Sequence, residues 1–320
     1  MAIIANTVLT YSLIGNREDL SDTIYNISPT ETPVQAAIGK EKCSATYHEW
    51  QTDVLAAANA SNAALQGDDV SFTAPAYTIR VGNRTQIARK DVITSGTTEA
   101  IMKAGRKQEM AYQLAKKSKE LRRDMEAGLC GNQVPTTGAQ GTAQLLRPML
   151  SWFATNVQAG VGGANGSTTT ARTDGTQRTF TETLFQTAMQ TAWTNGGTPD
   201  LALTGPKQRV VMSAFTGFGS GGATKFDKTD DMKLFGTVGV YVSDFGEISF
   251  KASRFTRNAL SQTDREVFVL TTDLWATATL RPMQTKDLAV TGDAEKAIII
   301  TEYTLVSRNE SGSALIADLS

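Results

Sequence analysis

The spacing of hydrophobic positions changes several times along the chain, and each change marks an element. Arg17-Glu-Asp-Leu-Ser-Asp-Thr-Ile-Tyr supports about two helical turns before Pro29 stops it. Pro33 opens a second short helix, Val34-Gln-Ala-Ala-Ile38, with Gly39 at its C-terminal end. Neither piece has enough apolar surface for a core, so residues 1–40 read as an arm lying along another surface. Ala45 to Leu55 reads as a strand, with Thr85 to Thr94 as its expected partner. The roughly thirty residues between them are rich in Ala, Asn, Gly and Asp, with one weak strand around Tyr77 to Val81. Such a hairpin is not stable alone and needs a platform, which nothing else in the chain offers.

Glu99 to Cys130 carries no proline, and its only glycines are Gly105 and Gly128. The span predicts one helix of about 45–50 Å. Met110, Leu114, Ser118, Leu121, Met125 and Leu129 form its apolar stripe. Its outer face holds Lys103, Arg106, Lys107, Lys116, Lys117, Lys119, Arg122 and Arg123, and Glu99 precedes Lys103 by one helical turn. Gly131-Asn132 ends it. Residues 135–178 are rich in Gly, Thr, Ser and Ala, and Ala159 to Arg178 reads as loop.

A capping box of Thr179 and Glu182 then starts a helix burying Leu184, Phe185, Ala188, Met189, Ala192 and Trp193. Leu201 to Thr204 is a short strand, and Pro206 opens a helix burying Val210, Val211, Ala214 and Phe215. Val238, Val240 and Val242 alternate as a strand, and Asp244-Phe-Gly turns the chain into Ile248 and Phe250. Val267 to Leu270 and Trp275 to Leu280 read as one strand region, Ile298 to Val306 as another, with Arg281 to Glu295 connecting them. The pattern is α+β.

Composition narrows the possibilities. The chain has 320 residues, 40% hydrophobic and only 7% aromatic, which suits thin, sheet-rich layers better than one thick core. Formal charge is −1, from 31 basic and 32 acidic residues, so no global pull toward nucleic acid or acidic lipid follows. The N-terminus lacks the basic leader and cleavage site of a signal peptide, and no apolar run is long enough to cross a bilayer. Cys43 and Cys130 are the only cysteines, which points to reduced thiols and a cytoplasmic setting.

Candidate chemistry is sparse. His48 is the single histidine, which removes most imidazole-based metal sites and nucleophile–histidine mechanisms. Gly217-Phe-Gly219-Ser-Gly-Gly222 matches a dinucleotide-binding spacing but follows a helix instead of a strand, so it reads as loop. Asp68-Asp69 reads as a polar loop tip, and Asp227, Asp230 and Asp231 fit no calcium-loop spacing. Glu109, Glu120, Asp124 and Glu126 dilute the basic face of the long helix. No catalytic, cofactor-binding or metal-binding residue is expected.

The order arm, long hairpin, spine helix, α/β insertion, returning strands resembles the Hong Kong 97-type major capsid proteins of tailed double-stranded DNA phages. The stretches that carry the resemblance include Gly15-Asn-Arg-Glu-Asp-Leu-Ser-Asp, Ile27-Ser-Pro-Thr-Glu-Thr-Pro33 and Ala45-Thr-Tyr-His-Glu-Trp-Gln-Thr-Asp53. Ala104-Gly-Arg-Lys-Gln-Glu-Met-Ala-Tyr-Gln-Leu-Ala115, Trp193-Thr-Asn-Gly-Gly197, Tyr241-Val-Ser-Asp-Phe-Gly246 and Glu302-Tyr-Thr-Leu extend it. The resemblance implies an N-terminal arm at 1–40, an extended loop at 41–94 and a spine helix of the peripheral domain at 95–134. It also implies an axial domain at 135–265 and returning peripheral strands at 266–320. The candidate inter-subunit contacts are Tyr47, His48, Trp50, Arg80, Arg84, Arg89, Arg106, Lys107, Arg281 and Lys286.

The implied partners are many copies of the chain as pentamers and hexamers, a portal, a decoration protein, and packaged double-stranded DNA held non-specifically, with no membrane. A separate scaffolding protein is expected because no long helical segment precedes the arm and the chain starts at Met1. Assembly is expected in the bacterial cytoplasm, ending in the virion. The alternatives are an encapsulin-like cellular nanocompartment shell protein and, less favoured, a hydrolase using His48.

Overall fold

The computed structural model describes residues 28–67, 69, 72, 74–215, 239–257 and 264–320. The helix expected from Arg17, the glycine pattern at Gly217 to Gly222, the acids Asp68, Asp227, Asp230 and Asp231, and Val238 lie outside them. Two sheets and a hairpin organise the described chain. In the first sheet, β1 (Gly39–Lys42) runs parallel to β10 (Trp275–Asp287), which pairs antiparallel with β11 (Ala294–Ser307), and β11 with β4 (Gln86–Ser95). A separate two-stranded hairpin joins β2 (Tyr47–Thr52) to β3 (Ile79–Arg84).

The expected partner of the first hairpin strand is therefore corrected. The real partner is β3, and the strand after Thr85 leaves for the four-stranded sheet. Gly82 and Asn83 weaken β3 as a sequence signal, yet Gly82 is required. A Cβ there would lie 2.8 Å from the Glu49 Cγ and the His48 carbonyl oxygen. Pro282 sits inside β10, where two register shifts between Thr279 and Gln284 accommodate the residue that cannot donate to a ladder. The connection after β10 is accordingly shorter than expected, from 288 to 293.

The second sheet has six strands in the order β5 (Val157–Gln158), β12 (Ala314–Ile316), β9 (Val267–Leu270), β6 (Leu201–Thr204), β8 (Gly246–Ala252) and β7 (Val240–Ser243). Val267 to Leu270 and Trp275 onward are thus not one strand region: a one-turn 3-10 helix, Thr272–Leu274, carries the chain from one sheet to the other. Alternation along the strands buries both faces. Leu201, Leu203, Phe268, Leu270 and Leu315 pack into one core with Trp275, Leu305 and Leu129. Ala202, Val267, Val269, Ala314 and Ile316 turn to Phe185, Met189 and Met212.

The long helix is shorter than its proline-free span. α2 (Gly96–Ala100) stops, a turn follows, and α3 (Glu109–Cys130) spans 22 residues, about 33 Å. Gly105 has φ +74°, which a helix interior does not allow. Glu99 does not serve as a helical partner of Lys103; its Oε2 accepts the Glu109 amide at 3.0 Å and so opens α3. Leu121, Met125 and Leu129 of the stripe are buried, whereas Met110, Leu114 and Ser118 are half-buried.

Local ends differ as well. α1 is Pro33–Ala37, capped at Ile38, and Gly39 already belongs to β1. α4 (Met149–Trp152) is a single buried turn after Pro148. Thr181, not Thr179, caps α5 (Glu182–Thr194), accepting the Leu184 amide. Trp193 is exposed on α5 beside Phe245. In α6 (Pro206–Ser213) the buried side is Gln208 and Met212, followed by Phe215, while Val210 and Ala214 are exposed.

Candidate inter-subunit surfaces

The hairpin is firmly anchored at its base and bare at its tip. On its inner side, the Trp50 indole N–H donates to the Ser307 carbonyl at 3.0 Å, and its ring lies 5.6 Å from that of Trp152. Asn83 Nδ2 donates to the carbonyls of Leu305 and Arg147, and its Oδ1 accepts the Arg147 amide at 2.8 Å. The Arg147 guanidinium lies 4.1 Å above the Trp152 ring, and burial lowers its pKa to about 10. Past Thr52 this support ends. Val54, Leu55, Leu65, Phe72, Tyr77 and Ile79 are all exposed, Leu55 and Phe72 at 94%. Six large apolar side chains thus stand exposed on this segment, more than scattered surface apolars require.

A second uncovered surface lies on the four-stranded sheet. α3 covers one face, toward Lys90, Val92, Ala297, Ile299 and Tyr303. Cross-strand register places Ile87, Arg89, Asp91 and Ile93 of β4 on the opposite face, with Ile298 and Ile300 of β11 beside them. Trp50 covers the far end of this face at Ala276, Ala278 and Val306. Ile93 remains 63% exposed and Ile87 53%.

These positions locate the ten candidates. Arg89, Arg281 and Lys286 share the isoleucine face, with Arg281 Nε donating to Glu302 Oε2 at 2.8 Å. Tyr47, Arg80 and Arg84 point outward from the hairpin, where Arg84 lies over the Tyr47 ring at 5.0 Å and Arg80 meets Glu49 at 3.7 Å. His48 and Trp50 occupy the inner side, half-buried, with ring centroids 5.8 Å apart. Arg106 and Lys107 stand together at the start of α3; Arg106 pairs with Glu109 and lies over Tyr112, and Lys107 is exposed.

Two buried charged sites, one single and one paired, escaped the sequence reading. Glu126 is fully buried, and its two carboxylate oxygens accept the amides of Val34 at 2.7 Å and Gln35 at 3.0 Å. It caps α1 from 91 residues away and ties α1 to α3. Burial pushes its pKa up, and the two amides only partly offset this. Its position between Met125 and Leu129 of the apolar stripe was the available signal. Near the C-terminus, Arg172 forms a bidentate pair with Asp318 at 3.1 and 2.6 Å, both side chains buried. Burial pushes the Asp318 carboxyl up, but Arg172 and the amides of Gly160 and Gly175 outweigh it and hold it low. Nothing in the local sequence signals a pair 146 residues apart.

Among the described residues, no group of three or more His, Cys, Asp and Glu side chains is placed to hold a metal ion, and no helix is long and apolar enough to cross a membrane. Comparison with known proteins gives a consistent answer. The family model of the SU10 major capsid protein matches residues 4–320. A curated major capsid protein of Escherichia phage Phieco32 is 36% identical over 128 residues, which are 40% of this chain and 36% of that relative's length. The capsid of a native GTA particle has a TM-score of 0.60 at 9% identity, with 97% of each chain covered. The structure described as Phage G gp27 major capsid proteins and gp26 decoration proteins has a TM-score of 0.51 at 12% identity, with 100% of each chain covered. The α+β fold is thus the Hong Kong 97-type capsid fold, and the chain belongs to the SU10 major capsid protein family, a structural family and not an enzymatic one.

Proposed function

We propose that the chain is the repeating subunit of a phage head, closing with its copies into a shell around double-stranded DNA. The observation that carries this reading is the presence of two bare surfaces: an apolar hairpin tip and, beyond the end that Trp50 covers, an isoleucine sheet face. The tip of one copy lies on the sheet face of the next. Donor and acceptor are different surfaces, so the contact is head-to-tail, and rotation closes it into pentamers and hexamers. Arg89 and Lys286 rim the acceptor face, while Tyr47, Arg80 and Arg84 line the outer side of the donor.

In this reading residues 1–40 are the arm, 41–94 the extended loop, 95–134 the spine, 135–265 the axial domain and 266–320 the peripheral return. The sheet order favours drawing β9 and β12 with the axial domain, because both hydrogen-bond inside the six-stranded sheet. A portal and a separate scaffolding protein act with it in the bacterial cytoplasm. A decoration protein is a further partner, as the Phage G structure pairs such proteins with its major capsid proteins.

The test is electron microscopy of the purified chain beside the L55S/F72S/Y77S variant. Wild type forms large closed particles, and the variant stays as folded subunits, since the altered side chains touch no core of their own. Particles from the variant in normal yield would exclude the tip as donor. A wild type that never assembles, alone or with the scaffolding protein, would exclude the shell reading.

A further inference from the structure

In sequence the spine helix looks electrically mixed, but folding separates its charges. Each of the four acids of α3 acquires a partner within the chain. Arg106 pairs with Glu109, Lys117 Nζ lies 2.8 Å from Glu120 Oε2, and Lys90 Nζ lies 2.5 Å from Asp124 Oδ2. Glu126 is buried beneath α1, accepting two amides. Lys107, Lys116, Lys119 and Arg122 remain exposed, and none has an ion-pair partner among the described residues. Lys116, Lys119 and Arg122 follow at three-residue steps, covering about 9 Å of helix length.

The neighbours on this surface limit what can bind. Ala111 and Ala115 are exposed beside the cations, and Tyr112, the only aromatic residue of α3, is half-buried under Arg106. A protein partner would need an aromatic or branched apolar anchor at the centre of the contact. A phosphate backbone needs only accessible positive charge and small neighbours that permit approach. The stripe also lies on the side of the four-stranded sheet opposite the isoleucine face, because Lys90, which reaches Asp124, alternates with Arg89 in β4.

We infer that the exposed edge of α3, formed by Lys116, Lys119 and Arg122 with Lys107 just before its start, holds the phosphate backbone of double-stranded nucleic acid without regard to sequence, so that the α3 side of the subunit lines the shell interior. The assignment to the interior rests on the shell reading; the phosphate surface does not. Four cations per copy bind weakly alone. Repetition over many copies sums them into a lining that holds DNA without fixing its register.

The full chain, kept unassembled, is titrated with a duplex of random sequence between about 50 and 200 mM salt. The K116Q/K119Q/R122Q variant is compared with R80Q/R89Q/K286Q, which removes the same charge from the other surfaces. The slope of log affinity against log salt falls by up to about 2.7 in the α3 variant, at about 0.9 for each lost phosphate contact, and stays at the wild-type value in the control. An unchanged slope in the α3 variant, an equal fall in the control, or no salt-dependent binding by wild type overturns the assignment. Polyglutamate that wild type retains against duplex at equal charge concentration also overturns it, in favour of an acidic protein. Particle formation is scored separately by microscopy. Absence of particles with the expected slopes removes the shell reading and leaves the phosphate surface standing.

Discussion

Replacing Glu126 by alanine removes the acceptor of two amides at once. α1 has five residues and begins at Pro33, which has no N–H, so Val34 and Gln35 supply the amides nearest its start. Glu126 takes both, and Val34 is fully buried. A hydrogen bond to a charged group contributes about 1.5–3 kcal/mol, and a stranded buried amide costs about 1–3 kcal/mol. Water can reach Gln35 once α1 loosens, so the loss is nearer one such bond plus one stranded donor, about 3 kcal/mol. At about 1.4 kcal/mol per factor of ten, opening of α1 becomes on the order of a hundredfold more frequent. Hydrogen exchange at the Val34 and Gln35 amides reads this directly, with the Leu305 amide in β11 as the core reference. The expected result is fast exchange at the first two and little change at Leu305. Wild-type rates at Val34 and Gln35, or equal acceleration at Leu305, would refute the clamp.

Three further outcomes follow from the same geometry. Burial raises the Glu126 pKa above the ordinary carboxyl value, so the folded chain holds that proton more tightly than the unfolded one. Its contribution is complete below the ordinary value and is lost as pH rises through the raised one. The wild-type advantage over E126Q in denaturant titrations therefore grows on acidification from neutral pH, and a flat difference would refute the linkage; subtraction cancels the opposing low pKa values of Glu109, Glu120 and Asp318. D318A strips the buried Arg172 guanidinium of its bidentate partner and leaves it Asp174, 3.1 Å from Nη1, for a loss of about 3 kcal/mol by the same titration, and a loss under about 1 kcal/mol would show that Asp174 and water compensate. G197A drives a Cβ to 2.0 Å from the Gly312 carbonyl oxygen and lowers the melting temperature by several degrees, whereas G239A, with open space, leaves it unchanged.

The spine shows how far local pattern reaches. The run without proline located the helix and its C-terminal end at Cys130, because helix periodicity and a terminating Gly131-Asn132 are local properties. Its beginning was misplaced by ten residues, because Glu99 reaches back to cap Glu109 only once Gly105 has turned the chain. The hairpin was similarly half legible. The poor support of its tip followed from composition, but the anchoring of its base on its own chain and its partner strand did not, since Gly82 and Asn83 belong there only because of what they face.

The sequence by itself determined the α+β class, the order of elements, the family resemblance and the scarcity of catalytic chemistry, because periodicity, turn residues and shared stretches are all carried along one dimension. Only the tertiary structure decided which strands share a sheet, that four isoleucines gather on one open face, and that Glu126 and Asp318 are buried with their partners. It alone decided that the acids of α3 acquire partners within the chain, while Lys116, Lys119 and Arg122 stay without an ion pair among the described residues. Those outcomes depend on pairs far apart in the chain, and charge and exposure belong to the neighbourhood a side chain enters, which no local pattern contains.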